Sequence, residues 1–157
     1  MNIKLIAVGK TDSDHVKVGT ELYIKRIKRY INFDFVIIPD LKKSKKRSED
    51  VQKELEGKII LDNLQAGDYL VLLDEYGKEL RSVEFADFIQ KRMNSGIKQL
   101  VFLIGGPYGF SEEVKKRCDY TLSLSKMTYS HQLVRVLFAE QLYRAFSIIK
   151  GEPYHHE

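Results

Sequence analysis

Leu100-Val101-Phe102-Leu103-Ile104-Gly105-Gly106-Pro107-Tyr108-Gly109-Phe110-Ser111 is the stretch on which the fold of this chain turns. Five apolar residues in a row, bounded by glycines, read as a strand covered on both faces, as in a parallel sheet with helices above and below. Gly105 and Gly106 let the backbone approach a ligand without a Cβ in the way, and Gly109 suits a left-handed turn position. Ser111 followed by Glu112-Glu113 has the composition of a helix start, a capping hydroxyl with acids in the first turn. In open α/β sheets ligands bind outside the carboxyl ends of strands, which is where this loop falls. It is not a Walker loop, because no Gly-Lys-Ser/Thr follows. It is not a dinucleotide fingerprint, because it comes late in the chain and lacks an acidic residue about twenty positions on. By its spacing alone it reads equally well as a tight strand-to-helix turn.

Strand and helix patterns alternate on either side. Ile3 to Val8 is a first strand ended by Gly9, and residues 14–30, with Val16, Val18, Leu22, Ile24, Ile27 and Tyr30, predict an amphipathic helix. Phe33 to Ile38 is a second strand, and Ser48-Glu49-Asp50 opens a helix running to about Leu64. Tyr69 to Leu73 is a third strand followed by the loop Asp74-Glu75-Tyr76-Gly77-Lys78. Ser82 caps a helix whose inner side is Val83, Phe85, Ala86, Phe88 and Ile89. A short helix follows Ser111, Tyr120 to Leu124 is a fifth strand, and the last helix covers roughly His131 to Ile149. The order predicts an α/β fold, a largely parallel sheet flanked by helices, in one domain over 1–157.

Composition narrows the function classes. The net charge is +4 over 157 residues, mildly basic, which permits an anionic partner without demanding one. Cys118 is the single cysteine, so an intrachain disulfide and a multi-cysteine metal site are excluded. Besides His155 and His156 only His15 and His131 remain, and no metal site is expected. The opening apolar run is too short for a signal peptide, and no stretch approaches the roughly 18 residues of a membrane span. A cytoplasmic protein without membrane or DNA partners is the expectation.

A second loop, Ser123-Leu124-Ser125-Lys126-Met127-Thr128-Tyr129-Ser130-His131, leaves the fifth strand and enters the last helix. Two loops leaving two strands are what a wrapped, nucleotide-like ligand needs. The helix carries Leu133, Val134, Val136, Leu137, Phe138, Ala139, Leu142, Tyr143, Ala145, Phe146, Ile148 and Ile149, and is apolar nearly all round. Such a helix is buried in a core or at a subunit interface, and in a chain this small a homodimer interface is expected. Glu140 and Arg144, spaced i and i+4, form either a surface pair or, with Arg135, part of a site for an anionic substrate.

Several strings stand in fixed order along the chain. They are Lys4-Leu5-Ile6-Ala7-Val8-Gly9-Lys10, Leu103-Ile104-Gly105-Gly106-Pro107-Tyr108-Gly109, Ser123-Leu124-Ser125, His131-Gln132-Leu133-Val134-Arg135-Val136-Leu137, Ala139-Glu140-Gln141-Leu142-Tyr143-Arg144-Ala145 and Pro153-Tyr154-His155. In these strings and in length the chain resembles the RlmH family, the ribosomal large-subunit pseudouridine methyltransferases of the SPOUT superfamily. The resemblance implies a carboxy-terminal deep trefoil knot, which neither composition nor periodicity indicates and which ordinary connection rules disfavour. It implies S-adenosylmethionine as cofactor, and a homodimer that methylates ring nitrogen 3 of a pseudouridine in 23S rRNA of the large subunit or assembled 70S ribosome.

Carried over by position, the resemblance places cofactor binding at Leu73, Gly105, Gly106 and the loop Ser125, Lys126, Met127, Thr128, Tyr129 and Ser130. It places substrate and catalytic roles at Glu140, Arg144, Tyr154 and His155. The family usually has Arg or Lys where this chain has His156. A ring nitrogen of a uracil-type base carries a proton that must leave before methylation, and His155 and Glu140 are the two candidate acceptors. Arg144 or Arg135 is the candidate for charge developing on the ring carbonyls. The run Lys42-Lys43-Ser44-Lys45-Lys46-Arg47, with Lys25, Arg26, Lys28 and Arg29, is either a solvated face or a phosphate-binding surface. Competing readings are a SPOUT enzyme acting on tRNA or another rRNA position, a non-catalytic ribosome-associated factor, and a generic nucleotide-binding module.

Overall fold

Alternation within the apolar runs sorts the core into two layers. The computed structural model describes residues 1–41 and 48–156. The strands are β1 (Asn2–Val8), β2 (Phe33–Ile38), β3 (Tyr69–Glu79), β4 (Gln99–Ile104) and β5 (Tyr120–Ser123). They form one sheet in the order β2-β1-β4-β3-β5, with every neighbouring pair parallel. Because successive strand residues point to opposite faces, Ile3, Leu5, Ala7, Val71, Leu100, Phe102 and Ile104 enter one core. Ile6, Val8, Leu70, Leu72, Val101 and Leu103 enter the other. The first layer is closed by α1 (Asp14–Ile27), α3 (Ser82–Asn94) and α5 (Leu133–Ile149), and the second by α2 (Glu49–Asp62) and α4 (Glu112–Arg117). Central β4 is apolar throughout its buried length because it has helices on both sides. Phe102 packs against Phe138 of α5 at 4.6 Å between ring centroids, and against Phe85 of α3 at 6.1 Å.

The helix starts follow their caps. Ser48 Oγ accepts from Val51 N at 3.3 Å and Ser111 Oγ from Val114 N at 3.4 Å. At α3 the expectation shifts by one residue: Arg81 is the cap, its N–H donating to Glu84 at 2.7 Å. Ser82 Oγ instead donates to Gln141 Oε1 at 3.0 Å, tying α3 to α5.

Two further departures matter for the site. β3 continues to Glu79, and residues 74–78, expected as a loop, run on past a register shift so that Lys78 and Glu79 pair with Leu122 and Ser123 of β5. Gly77 makes this possible, since a Cβ there would stand 2.7 Å from the Leu122 backbone. On α1 the buried residues are Val16, Thr20 and Ile27, while Val18 and Leu22 are 66% and 47% exposed. At 100° per residue, Val18 lies 200° from Val16, on the opposite side of the helix.

Candidate active site

The carboxyl ends of β3 and β4 and the segment between β5 and α5 enclose a cavity of about 400 Å³, within the range of small-molecule sites. Leu73, Ile104, Leu124, Met127 and Val134 give it apolar walls. Gly105, Gly106, Ser125, Thr128, Tyr129 and Ser130 contribute its polar lining. Of the residues expected to hold a cofactor, Lys126 alone is not in the wall: its ammonium pairs with Glu79 at 3.7 Å. Among the described residues no Lys or Arg lines the cavity, whereas Asp74 and Glu75 do. That donor set disfavours a polyphosphate, which needs cationic neutralisation. It suits an uncharged nucleoside edge joined to a cationic group.

Each wall is held by local chemistry. Ser123 Oγ donates to Ser125 O at 2.9 Å, and Ser125 Oγ accepts from Met127 N at 2.9 Å, folding the second loop back on itself. Ser130 Oγ accepts from Leu133 N at 3.1 Å and serves the open end of α5. Thr128 Oγ1 donates to Glu75, clasping the second loop to β3. In the glycine loop, Gly109 has φ +76° and its N–H donates to Gly106 O at 3.1 Å. Gly105 and Gly106 have a reason that the sequence did not expose. A Cβ on Gly105 would stand 2.9 Å from the Phe110 ring, and one on Gly106 would stand 2.7 Å from Glu56 Oε2. Their Cβ positions are thus filled by the chain's own side chains. Sequence reasoning left Asp74, Glu75 and Tyr76 unassigned, although they follow directly on the Leu73 strand end. It also missed Pro107, Phe110, His131 and Val134.

Arg135, weighed from sequence as a cation facing the substrate, is fully buried. Its Nε donates to His131 O at 3.0 Å and Nη1 to Thr11 Oγ1 at 2.7 Å. Nη2 donates to Val8 O and Gly9 O, both at 2.8 Å. Burial pushes its guanidinium below the usual range, opposed by Asp40 and Asp12. Gln132 adds a bond to Lys10 O at 2.7 Å and accepts from Asp12 N at 3.1 Å. The cavity wall at His131 is therefore stapled to the end of β1.

A second cluster joins α5 to the tail. Glu140 Oε1 accepts from Arg144 Nε at 3.1 Å, Arg144 Nη2 at 2.5 Å and Tyr154 Oη at 3.1 Å. Glu140 Oε2 accepts from Gln141 at 2.8 Å. Arg144 Nη1 lies 3.3 Å from His155 Nδ1, and the guanidinium covers the Tyr154 ring at 4.8 Å. An arginine N–H only donates, so the ring offers it the Nδ1 lone pair. The bond from Glu140 pushes the Arg144 guanidinium up. Burial, with bonding to Tyr23 and the charge of Glu140, pushes the Tyr154 hydroxyl well above the ordinary tyrosine range. Arg26 of α1 lies over Tyr143, 5.3 Å from its ring centroid, beside this cluster.

The structure thus brings Glu140, Arg144, Tyr154 and His155 together, but none of them lines the cavity. Glu140 and Arg144 stand six and ten residues beyond Val134 on α5, about 9 and 15 Å along its axis at 1.5 Å per residue. Residues 42–47 of the basic run lie outside the described residues. Lys25 is exposed on α1, and Lys28 and Arg29 are exposed just past its end. Among the described residues there is no group of three or more potential metal ligands, and no helix long and apolar enough to cross a membrane.

Comparison with known proteins places these features in context. A family model described as a predicted SPOUT methyltransferase matches residues 1–155. A ribosomal RNA large subunit methyltransferase H of Christiangramia forsetii is 58% identical over 156 residues, covering 99% of each chain. Its namesake in Flavobacterium johnsoniae is 57% identical over the full length of both. A solved probable methylase family protein of Haemophilus influenzae, 14% identical, superposes with a TM-score of 0.50 over 96% of this chain and 66% of its own, a likeness of fold.

Proposed function

This chain belongs to the SPOUT methyltransferase family and, within it, to the RlmH group, and on that premise we propose that it methylates N3 of a pseudouridine in 23S rRNA, in the cytoplasm, with the assembled 70S ribosome as substrate. Its cofactor is S-adenosylmethionine, which supplies an electrophilic methyl group on a sulfonium. The observation that carries the cofactor site is the cavity itself: apolar walls, a peptide-rich lining, two carboxylates and, among the described residues, no cation. Leu73, Leu124 and Met127 pack against the nucleoside, the peptide groups of Gly105, Gly106 and residues 125–130 meet its polar edges, and Lys126 steadies the loop from outside through Glu79. The trefoil knot implied by the family accords with a chain that leaves β5 at one sheet edge and is pinned by Arg135 beside β1.

The tail cluster is the substrate side. Glu140 already accepts four hydrogen bonds, so its part is to hold Arg144 and Tyr154 in place rather than to take a proton. His155 is the proton acceptor for N3, directly or through one water, and it takes the proton at Nδ1 once Arg144, which donates to that atom in the free protein, turns to the substrate. Arg144 stabilises charge that develops on the flanking ring carbonyls. The distance along α5 between cavity and cluster supports a homodimer in which one subunit's tail completes the other's cavity. The exposed apolar residues Val18, Leu22 and Leu133 on α1 and α5, the last 41% exposed, supply a surface for a second copy.

The direct test is methyl transfer from labelled S-adenosylmethionine to ribosomes from a strain lacking the gene, with separated subunits and free rRNA alongside. Label mapped to one large-subunit pseudouridine, on assembled particles only, is the expected result. Label on tRNA or on another rRNA position would overturn the substrate assignment.

A further inference from the structure

We propose that Glu56, on α2 and outside every loop described above, is a positioning residue for the cofactor cavity: it seats the glycine loop from behind. The inference rests on the cofactor reading above. Glu56 is 2% exposed. Its Oε1 accepts from Gln52 Nε2 at 3.0 Å. Its other oxygen, Oε2, is buried and has no hydrogen-bond partner among the described residues. A buried carboxylate oxygen left in that state costs free energy, so it is retained for a reason other than the stability of the free protein.

Its direction gives the reason. Oε2 is the atom that a Cβ on Gly106 would meet, at 2.7 Å, so it lies directly against the backbone of a residue that lines the cavity. The neighbouring Gly57 brings α2 equally close to Ser111 at the far end of the same loop, where a Cβ would collide with the Ser111 hydroxyl. Helix α2 therefore backs the loop from Gly106 to Ser111, and Glu56 Oε2 faces that loop without a hydrogen-bond partner among the described residues. When the loop closes on the cofactor, Oε2 accepts a backbone N–H from it, and the adjoining peptide groups are fixed toward the ligand. Cofactor affinity then depends on an acceptor at this position.

The test is calorimetric titration of S-adenosylmethionine into the unaltered protein, Glu56→Met and Glu56→Gln, with the thermal midpoint of each free protein measured alongside. Methionine fills the space without an acceptor. Glutamine keeps one oxygen for the loop while its amide serves a flipped Gln52. The expected result is a loss of at least about tenfold in affinity for Glu56→Met, of the size a lost hydrogen bond to a charged group gives. The Glu56→Met midpoint should be equal to or above that of the unaltered protein, and Glu56→Gln should bind within about threefold of it. A packing role would lower midpoint and affinity together and leave Glu56→Gln no better than Glu56→Met, overturning the inference. So would unchanged binding by Glu56→Met. If Glu56→Met does not fold, Glu56→Asp, which withdraws the carboxylate from Gly106 by one methylene, reads the same loss. Failure of the unaltered protein to bind would overturn the cofactor reading, and this inference with it.

Discussion

Arg135 donates from Nη2 to the carbonyl of Val8 at 2.8 Å across 127 residues of sequence, so the start of the last helix is fastened to the end of the first strand. The same side chain holds His131 O, Gly9 O and Thr11 Oγ1. Replacing Arg135 by Met should destabilise the protein by about 3–5 kcal/mol, because several buried acceptors lose their donor at about 1–3 kcal/mol each. Urea unfolding measures it. A loss below about 1 kcal/mol would show that the staple is dispensable.

Replacing His155 by Ala removes the proposed proton acceptor and leaves the cavity walls untouched. Turnover on ribosomes should fall by about a hundredfold or more, with the dissociation constant for S-adenosylmethionine changed less than about twofold. Equal losses in both would remove His155 from the chemistry and make it part of the cofactor site.

Tyr154→Phe keeps the ring under Arg144 and deletes the hydroxyl that donates to Glu140. With its titration pushed upward, the hydroxyl remains a donor throughout the pH range in which the enzyme is assayed. Turnover should drop by about tenfold at every pH, with no change in the shape of the profile. A change confined to the alkaline limb would mean that Tyr154 itself titrates.

A composite dimer makes a prediction about mixtures. Gly105→Val drives a side chain into Phe110 and disables the cavity, while His155→Ala disables the tail. If tails cross between subunits, mixing the two inactive proteins under exchange creates heterodimers with one intact site, and about a quarter of full activity should appear. Mixtures that stay inactive despite demonstrated subunit exchange would place each tail in its own subunit's site.

Tyr30 donates to Glu152 and stacks on Phe146 at 5.6 Å. Burial, then the bond to Glu152, pushes its hydroxyl up from 10.0 to about 12. A raised folded-state value means that this contribution to stability is complete below pH 10 and is lost as pH rises toward 12, where the unfolded chain has released the proton and the folded one still holds it. Denaturant midpoints should decline across that window, and Tyr30→Phe should decline less steeply. Parallel slopes for the two proteins would assign the alkaline loss to other groups.

The parallel α/β architecture was legible because its carriers are local. Leu100 to Ile104 must be covered on both faces whatever surrounds them, and Ser48 and Ser111 cap helices through contacts three residues away. The two loops at the carboxyl ends of strands could be placed for the same reason. Glu140 and Arg144 met as their i, i+4 spacing allows. What failed were readings that depend on direction in space. Val18 and Leu22 looked like core on α1 and face outward, because one-dimensional periodicity does not say which side of a helix the sheet lies on. Arg135 looked like a substrate cation and is a staple, because three of its four acceptors come from residues more than 120 positions earlier. Gly105 and Gly106 line the cavity as their place in the chain suggested, but what requires glycine there, Phe110 and Glu56 packed where a Cβ would stand, could not be seen along the chain. Hydrophobic period, caps and ordered motifs are properties of neighbours along the chain, so the elements, their alternation and the family could be read from the residues alone. Which buried groups touch across the sheet, and that the cavity and the tail cluster stand apart, emerge only with the fold, since those distances depend on how separated segments pack.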